Sequence, residues 1–383
     1  ISGMCMGAGI LMSTLYGAKD MKNLEKQIST TLIGGLIFSM LIAFFMIVLA
    51  VPILRLINSP EEIIGSAAIY LRVVFLGLIF TFVYNFLANT LRALGDSKTP
   101  LYFLVISAFL NVAGDLLFVV TLRLGVMGSA IATVLSEALC CICCGVYVKL
   151  KVPMLCLGKK WFVFERRILW RTFSYGITSA LQQMCVQLGK ILVQAIINVQ
   201  GVAFIAAVTA INRVDDFVLS PEGNIAHATT TFIAQNRGAG DVGRVKKGYR
   251  CGIIMEIIFS AAVSVAVYFL AQPLMRLFVT EDSAEVVALG VSYLKLIAFM
   301  YIMPALTNIV QGFFRGMGDL KVTLISTITN MGVRVIAAHI LISMMGKGFY
   351  ALAWSNFWGW VFMLLLEVPL LVRNMVKLGR GEL

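Results

Sequence analysis

Ten apolar stretches of 20 or more residues follow one another along the chain, separated by short polar loops. They cover about 28–52, 64–90, 100–121, 126–148, 174–199, 202–234, 251–270, 286–313, 322–343 and 348–372. A bilayer core of about 30 Å needs about 20 residues of helix to cross it. The stretches are continuous, aliphatic and glycine-rich, without the apolar–polar alternation of a barrel strand. Only helices and closed barrels satisfy their own backbone in lipid. The expectation is therefore an all-α integral membrane protein. Composition points the same way: 60% of residues are hydrophobic, 13% are charged and the mean hydropathy is +0.93. Soluble domains carry about 25% charged residues, so too little polar surface remains to cover a globule in water. Soluble enzymes, secreted scaffolds and disordered tails are excluded.

The formal net charge of +12 is dispersed. Most basic residues occupy alternate loops: Lys19, Lys22 and Lys26; Arg92 and Lys98; seven between Lys149 and Arg171; five between Arg237 and Arg250; Arg315 and Lys321; and Arg373, Lys377 and Arg380 in the tail. The intervening loops hold only Arg55, Arg123, Arg276 and Lys347. The basic set and the C-terminus are thus expected on the cytoplasmic side of the membrane. A charge spread over loops does not make a nucleic-acid surface. Four of the eight cysteines, Cys140, Cys141, Cys143 and Cys144, lie in one apolar run without a ligand-spaced His or carboxylate. They read as small apolar residues, and no cofactor is expected.

The chain also repeats itself. Gly17-Ala18-Lys19-Asp20 returns as Gly238-Ala239-Gly240-Asp241. Pro52, Arg55 and Leu56 return as Pro273, Arg276 and Leu277. Tyr70-Leu71 returns as Tyr293-Leu294, Asn85 as Asn308, and the loop from Arg92 to Lys98 as Arg315 to Lys321. After a four-residue gap, Ser107 and Asn111 align with Ser326 and Asn330. Parallel repeats of this kind form two facing bundles in transporters. The expected division is an N-terminal lobe over 1–148, a basic linker over 149–171, partly an interfacial helix, and a C-terminal lobe over 172–383. Residues 1–15 read as the end of a helix. About 55 residues of the first repeat have no counterpart in the chain, which leaves that lobe without its first helix and most of its second.

These motifs resemble the MATE family (multidrug and toxic compound extrusion), in its DinF-like bacterial branch. The likeness rests on Gln235-Asn236-Arg237-Gly238-Ala239-Gly240, the paired Arg-x-x-Gly-Asp loops at 92–96 and 315–319, and Gly176 with Gln182-Gln183. It implies two pseudo-symmetric six-helix lobes. It also implies a carrier without enzymatic activity, which exports organic, often cationic compounds against inward proton or sodium flow by alternating access. No nucleotide-binding loop of the Gly-x-x-x-x-Gly-Lys-Ser/Thr type occurs. The rival reading is a lipid-linked oligosaccharide flippase of the related superfamily. The expected partners are small organic substrates and membrane lipids, with the protein a monomer.

Ionisable residues in the spans narrow the site, since each costs about 2.5–3.5 kcal/mol to insert. Asn111 and Asp115 share a helix face one turn apart. Thr133, on the next helix, lies at a similar depth. A carboxylate, an amide and a hydroxyl together suit a proton or a sodium ion. The three resemble the coupling-ion site of the DinF-like branch, where an Asp on the first helix joins them. Tyr70, Asn89 and Glu137 are further candidates for this network. The repeat partner of Asp115 is Arg334, so coupling is expected in the first lobe alone. A substrate or proton cavity is expected around Asp215, Asp216, Glu222, Gln183 and Arg334. Arg213 with Asp216 reads as an i,i+3 pair, Pro221 as a kink, and Glu256 and Glu367 as residues that snorkel to helix ends. The acidic pair of another MATE branch has no match, because Pro304 stands where that branch has an Asp.

Overall fold

The computed structural model describes residues 1–57, 59–152, 163–279, 284–345 and 348–381, with the side chains of 343–348 left out. Among the described residues every regular element is helical. The helices are α1 (Ser2–Gly17), α2 (Met21–Leu56), α3 (Glu61–Ala93), α4 (Lys98–Asp115), α5 (Gly125–Lys151), α6 (Arg166–Asn198), α7 (Val202–Gly238), α8 (Val242–Phe278), α9 (Ala284–Ala298), α10 (Ile302–Gly316), α11 (Leu320–Met345) and α12 (Gly348–Gly379). Helix α4 continues as a π-helical segment over Leu116–Thr121. Each expected apolar stretch is helical. Seven helices are long and apolar enough to cross a membrane: α2, α3, α4 with its continuation, α5, α6, α8 and α11. The bent pair α9–α10 passes the same test when its two helices are taken together. Part of the basic linker, with Lys159, Lys160 and Trp161, lies outside the described residues, as does Lys347.

One expected span is not continuous. The stretch 286–313 breaks at residues 299–301, where α9 and α10 meet at 53°. Pro304 opens the first turn of α10. It has no N–H to donate, and its ring crowds the carbonyl four residues earlier, at Met300.

Four turns make the repeat visible. Lys19, Gly95, Gly240 and Gly318 all have positive φ, at 57°, 99°, 71° and 78°. In each turn the following Asp donates its N–H to a carbonyl five residues back: Asp20 to Leu15, Asp96 to Leu91, Asp241 to Asn236 and Asp319 to Phe314. This is the Schellman closure of a helix. The same Asp then caps the next helix. Asp20 accepts from the Asn23 N–H at 3.1 Å, Asp96 from Thr99 at 3.0 Å, and Asp241 from Arg244 at 2.8 Å. One residue thus ends one helix and starts the next, and the four loops stay three or four residues long.

The contacts divide the chain into Ile1–Ala180 and Leu181–Leu383, with the boundary inside α6. In the first unit, Cys5, Ala8 and Met12 of α1 pack with Leu24 and Ile28 of α2, Phe82 and Phe86 of α3, and Cys144 and Val148 of α5. Gly7 and Gly176 let α1 and α6 touch backbone to backbone: a Cβ on Gly7 would stand 2.8 Å from the Gly176 nitrogen. In the second unit, Ala207, Ile211 and Val214 of α7 pack with Ala271 and Met275 of α8 and with Leu294 and Ile297 of α9. Large apolar side chains such as Phe44, Phe45, Phe109 and Phe269 are exposed on the helix flanks, the expected arrangement for helices solvated by lipid.

Candidate functional site

In the first unit the structure brings α4 and α5 together where the sequence placed its site. A Cβ on Gly114 would lie 2.9 Å from the Ala132 Cβ, and one on Gly128 would lie 2.9 Å from the Phe118 oxygen. That closeness sets Asn111 against Thr133. The Asn111 Nδ2 donates to the Thr133 Oγ1 at 3.2 Å, and the Thr133 Oγ1 donates to the Ser129 carbonyl at 3.0 Å. Asp115 is the last α-helical residue before the π-helical segment, a distortion often found at functional sites. Its Oδ1 is buried and has no hydrogen-bond partner. Asp115, Tyr70 and Ser129 line an open groove of about 660 Å³. A lone buried carboxylate oxygen one turn from an amide–hydroxyl pair offers a cation or proton an acceptor that no protein donor occupies.

The other two members of the expected network sit elsewhere. The Asn89 amide donates to the Asn85 carbonyl on its own helix at 2.8 Å. Glu137 accepts a short hydrogen bond from the Thr81 hydroxyl of α3. Neither is joined to Asn111 or Thr133 by a hydrogen bond among the described residues.

The second unit holds a cavity of about 450 Å³ between α6, α7, α9, α11 and α12. Four charged residues line it: Lys190, Asp215, Asp216 and Arg334. Tyr301, delivered by the break between α9 and α10, donates its hydroxyl to the Asp215 Oδ1 at 2.7 Å. Asn356 donates to the Tyr293 hydroxyl at 2.9 Å. The Arg334 Nε is buried without a hydrogen-bond partner. The two carboxylates and two basic groups balance one another in sign.

The two cavities occupy matching places in the repeat. Tyr70 corresponds to Tyr293, Asn111 to Asn330, and Asp115 to Arg334. At the shift of 223 that relates Tyr70 to Tyr293, Gly125 and Ala130 align with Gly348 and Ala353, and Thr133 with Asn356. Tyr293, Arg334 and Asn356 all line the second cavity. Sequence comparison located the first two of these places but not Asn356. The shared Gly-x-x-x-x-Ala spacing at Gly125–Ala130 and Gly348–Ala353 is the signal that would have found it.

Several expectations change. Gln183 is exposed and does not line the cavity. Its neighbour Gln182 is the buried one, and donates to Gln311 at 2.9 Å and to Thr327 at 3.0 Å. Glu222 is fully buried and also lies off the cavity. Arg213 is exposed, and no ion pair joins it to Asp216 among the described residues. Glu256 and Glu367 do not snorkel: both are fully buried, because their helices turn those faces onto neighbouring helices.

The MatE family model matches residues 1–117 and 178–340. The chain is 30% identical over 349 residues to the probable multidrug resistance protein YoeA of Bacillus subtilis (strain 168), covering 88% of this chain and 74% of that protein. It is 30% identical over 329 residues to the probable multidrug resistance protein YpnP of the same organism, covering 84% and 72%. Among solved structures, an outward-facing multidrug resistance MATE family transporter of the MOP superfamily aligns with a TM-score of 0.93 at 22% identity. That alignment covers 99% of this chain and 85% of the other. This multi-pass membrane chain belongs to the MatE family.

Proposed function

We propose that the protein is a secondary active antiporter of the DinF-like branch. It exports organic, often cationic compounds from a bacterial cell in exchange for protons or sodium. The observation that carries this reading is Asp115. It is an acid on a π-helical break, with one buried, unpaired oxygen and an Asn111–Thr133 pair one turn away. The names of the Bacillus relatives, both multidrug resistance proteins, support the substrate class.

In this scheme Asp115 takes up the ion while open to the outside. Charge neutralisation releases the drug and allows the bundles to rock; ion release on the inside restores the charge and the drug site. The membrane potential contributes about 2.3 kcal/mol per charge per 100 mV. Arg334 stands at the matching place in the second unit, where a fixed positive charge disfavours a second cation. The cavity there, with Asp215 and Asp216 beside Lys190 and Arg334, is assigned to the organic substrate. The protein acts as a monomer in the inner membrane, with its C-terminus in the cytoplasm.

The test is ethidium efflux from proteoliposomes under an imposed proton or sodium gradient. Asp115→Asn is expected to lose gradient-driven efflux, and normal efflux by that variant removes Asp115 from the mechanism. Lys190 and Arg334 also favour a second reading, the lipid-linked oligosaccharide flippase, because two basic groups suit an anionic headgroup. Gradient-independent scrambling of a fluorescent lipid in the same vesicles, without ethidium transport, would select it.

A further inference from the structure

Two carboxylates in the second unit take part in none of this. Glu222 of α7 and Glu256 of α8 are both fully buried, and all four of their carboxylate oxygens lack a hydrogen-bond partner. Helix packing sets them side by side. Helices α7 and α8 run antiparallel, and a Cβ on Gly252 would meet the Thr229 Oγ1 at 2.7 Å. From that contact Glu222 lies seven residues back along α7 and Glu256 four residues on along α8. At 1.5 Å per residue they differ in height by about 4.5 Å. Helices α7 and α10 run parallel, since Gly312 abuts Ala226 and Gly316 abuts Thr230. The same register puts Asn308 level with Glu222.

The groups facing the pair can be named helix by helix. On α7, His227 is exposed five positions along, and Asp215 is held by Tyr301. Tyr301, at the α9–α10 break, directs its hydroxyl to Asp215. On α8 the titratable groups toward the basic loop are Cys251 and Arg250, both exposed, and then the buried Tyr249; on α12 the group is the buried Glu367. No salt bridge reaches either carboxylate among the described residues. Two like charges buried together without a counter-ion cannot both persist. At least one of the two carboxyl groups must therefore hold a proton.

The fold itself does not require acids here. In the first repeat, position 222 corresponds to Ile1 and position 256 to Gly35. A Cβ on Gly35 would collide with the Phe82 ring, so an aromatic side chain fills that place. The same architecture is built with apolar groups in one unit and two carboxylic acids in the other.

We propose that Glu222 and Glu256 form a binding site for one exchangeable proton, separate from Asp115 and confined to the second unit. The inference does not depend on the identity of the exported compound. It is tested by infrared spectroscopy of the full purified chain in lipid, following the C=O stretch of protonated carboxylic acid as pH is raised. The wild type is expected to show a component that shifts in D₂O and disappears at alkaline pH. That component should survive in Asp115→Asn and Glu367→Gln, and vanish in the Glu222→Gln/Glu256→Gln double variant. A component that persists unchanged in the double variant, or a wild type without one at any pH where it stays folded, overturns the proposal. Should the double variant fail to fold, Glu256→Gln alone decides: the component must titrate at a different pH, and an unchanged titration overturns the site.

Discussion

Asp115 and Arg334 stand at matching places in the two repeats and carry opposite charges. That contrast makes the role of each side chain testable. Thr133→Ala removes the acceptor of the Asn111 amide. A part-buried hydrogen bond of this kind contributes about 1 kcal/mol, equivalent to about a fivefold change in an equilibrium constant. The half-saturating proton or sodium concentration in the efflux assay is therefore expected to rise about fivefold, with drug affinity little changed. Arg334→Ala should leave ion affinity nearly unchanged while altering substrate affinity, because Arg334 lines the charged cavity with Asp215. A large loss of ion affinity in that variant would contradict the one-sided arrangement. Asp115 was legible in the sequence because an acid inside an apolar run is conspicuous. The burial of Glu256 and Glu367 was not, because hydropathy does not distinguish a helix face turned to lipid from one turned to another helix. Tyr301 escaped for the same reason: as an aromatic residue in an apolar run it gave no sign that a chain break would aim its hydroxyl at Asp215.

The helices themselves were readable from continuous apolar runs, and their ends from the Gly-Asp pairs. The break at 299–301 was not, because nothing in the run changes hydropathy there and Pro304 acts one turn upstream of its own position. The repeated turns carry consequences for stability. Gly318 adopts φ 78°, so Gly318→Ala is expected to destabilise the protein by about 1 kcal/mol, the cost of placing a Cβ in the left-handed region. Measured in detergent, this should appear as a lower thermal midpoint. Lys19 already bears that strain at φ 57°. The carboxyl of Asp20 is held below its ordinary value, first by the side-chain hydrogen bond from Asn23 and then by the Asn23 backbone N–H. A depressed folded-state value means the cap stabilises α2 above the ordinary Asp range and loses that contribution as pH falls through the folded value. Acid unfolding midpoints should therefore shift less with pH in Asp20→Asn, which caps without titrating.

On the scale of the molecule, the distribution of charge and the helix order make one joint prediction. Each turn closed by a Gly-Asp or Lys-Asp pair, at residues 19–20, 95–96, 240–241 and 318–319, lies in a loop rich in Lys and Arg. The connections at Arg55, Arg123 and Arg276 carry one basic residue each. A bilayer orients helices so that the basic loops stay in the cytoplasm. An odd number of crossings separates any loop of one class from any loop of the other. The bent pair α9–α10 must then count as a single crossing, since Arg276 and Arg315 flank it and belong to opposite classes. Had the break at 299–301 made a re-entrant loop, every loop beyond it would change sides and the tail would face out. A fluorescent protein fused after Leu383 should therefore fold and fluoresce, while alkaline phosphatase there should stay inactive. The phosphatase fused after Arg123 should be active. Phosphatase activity at both positions would show that α9 and α10 do not cross together, and would place the basic tail outside against the charge rule.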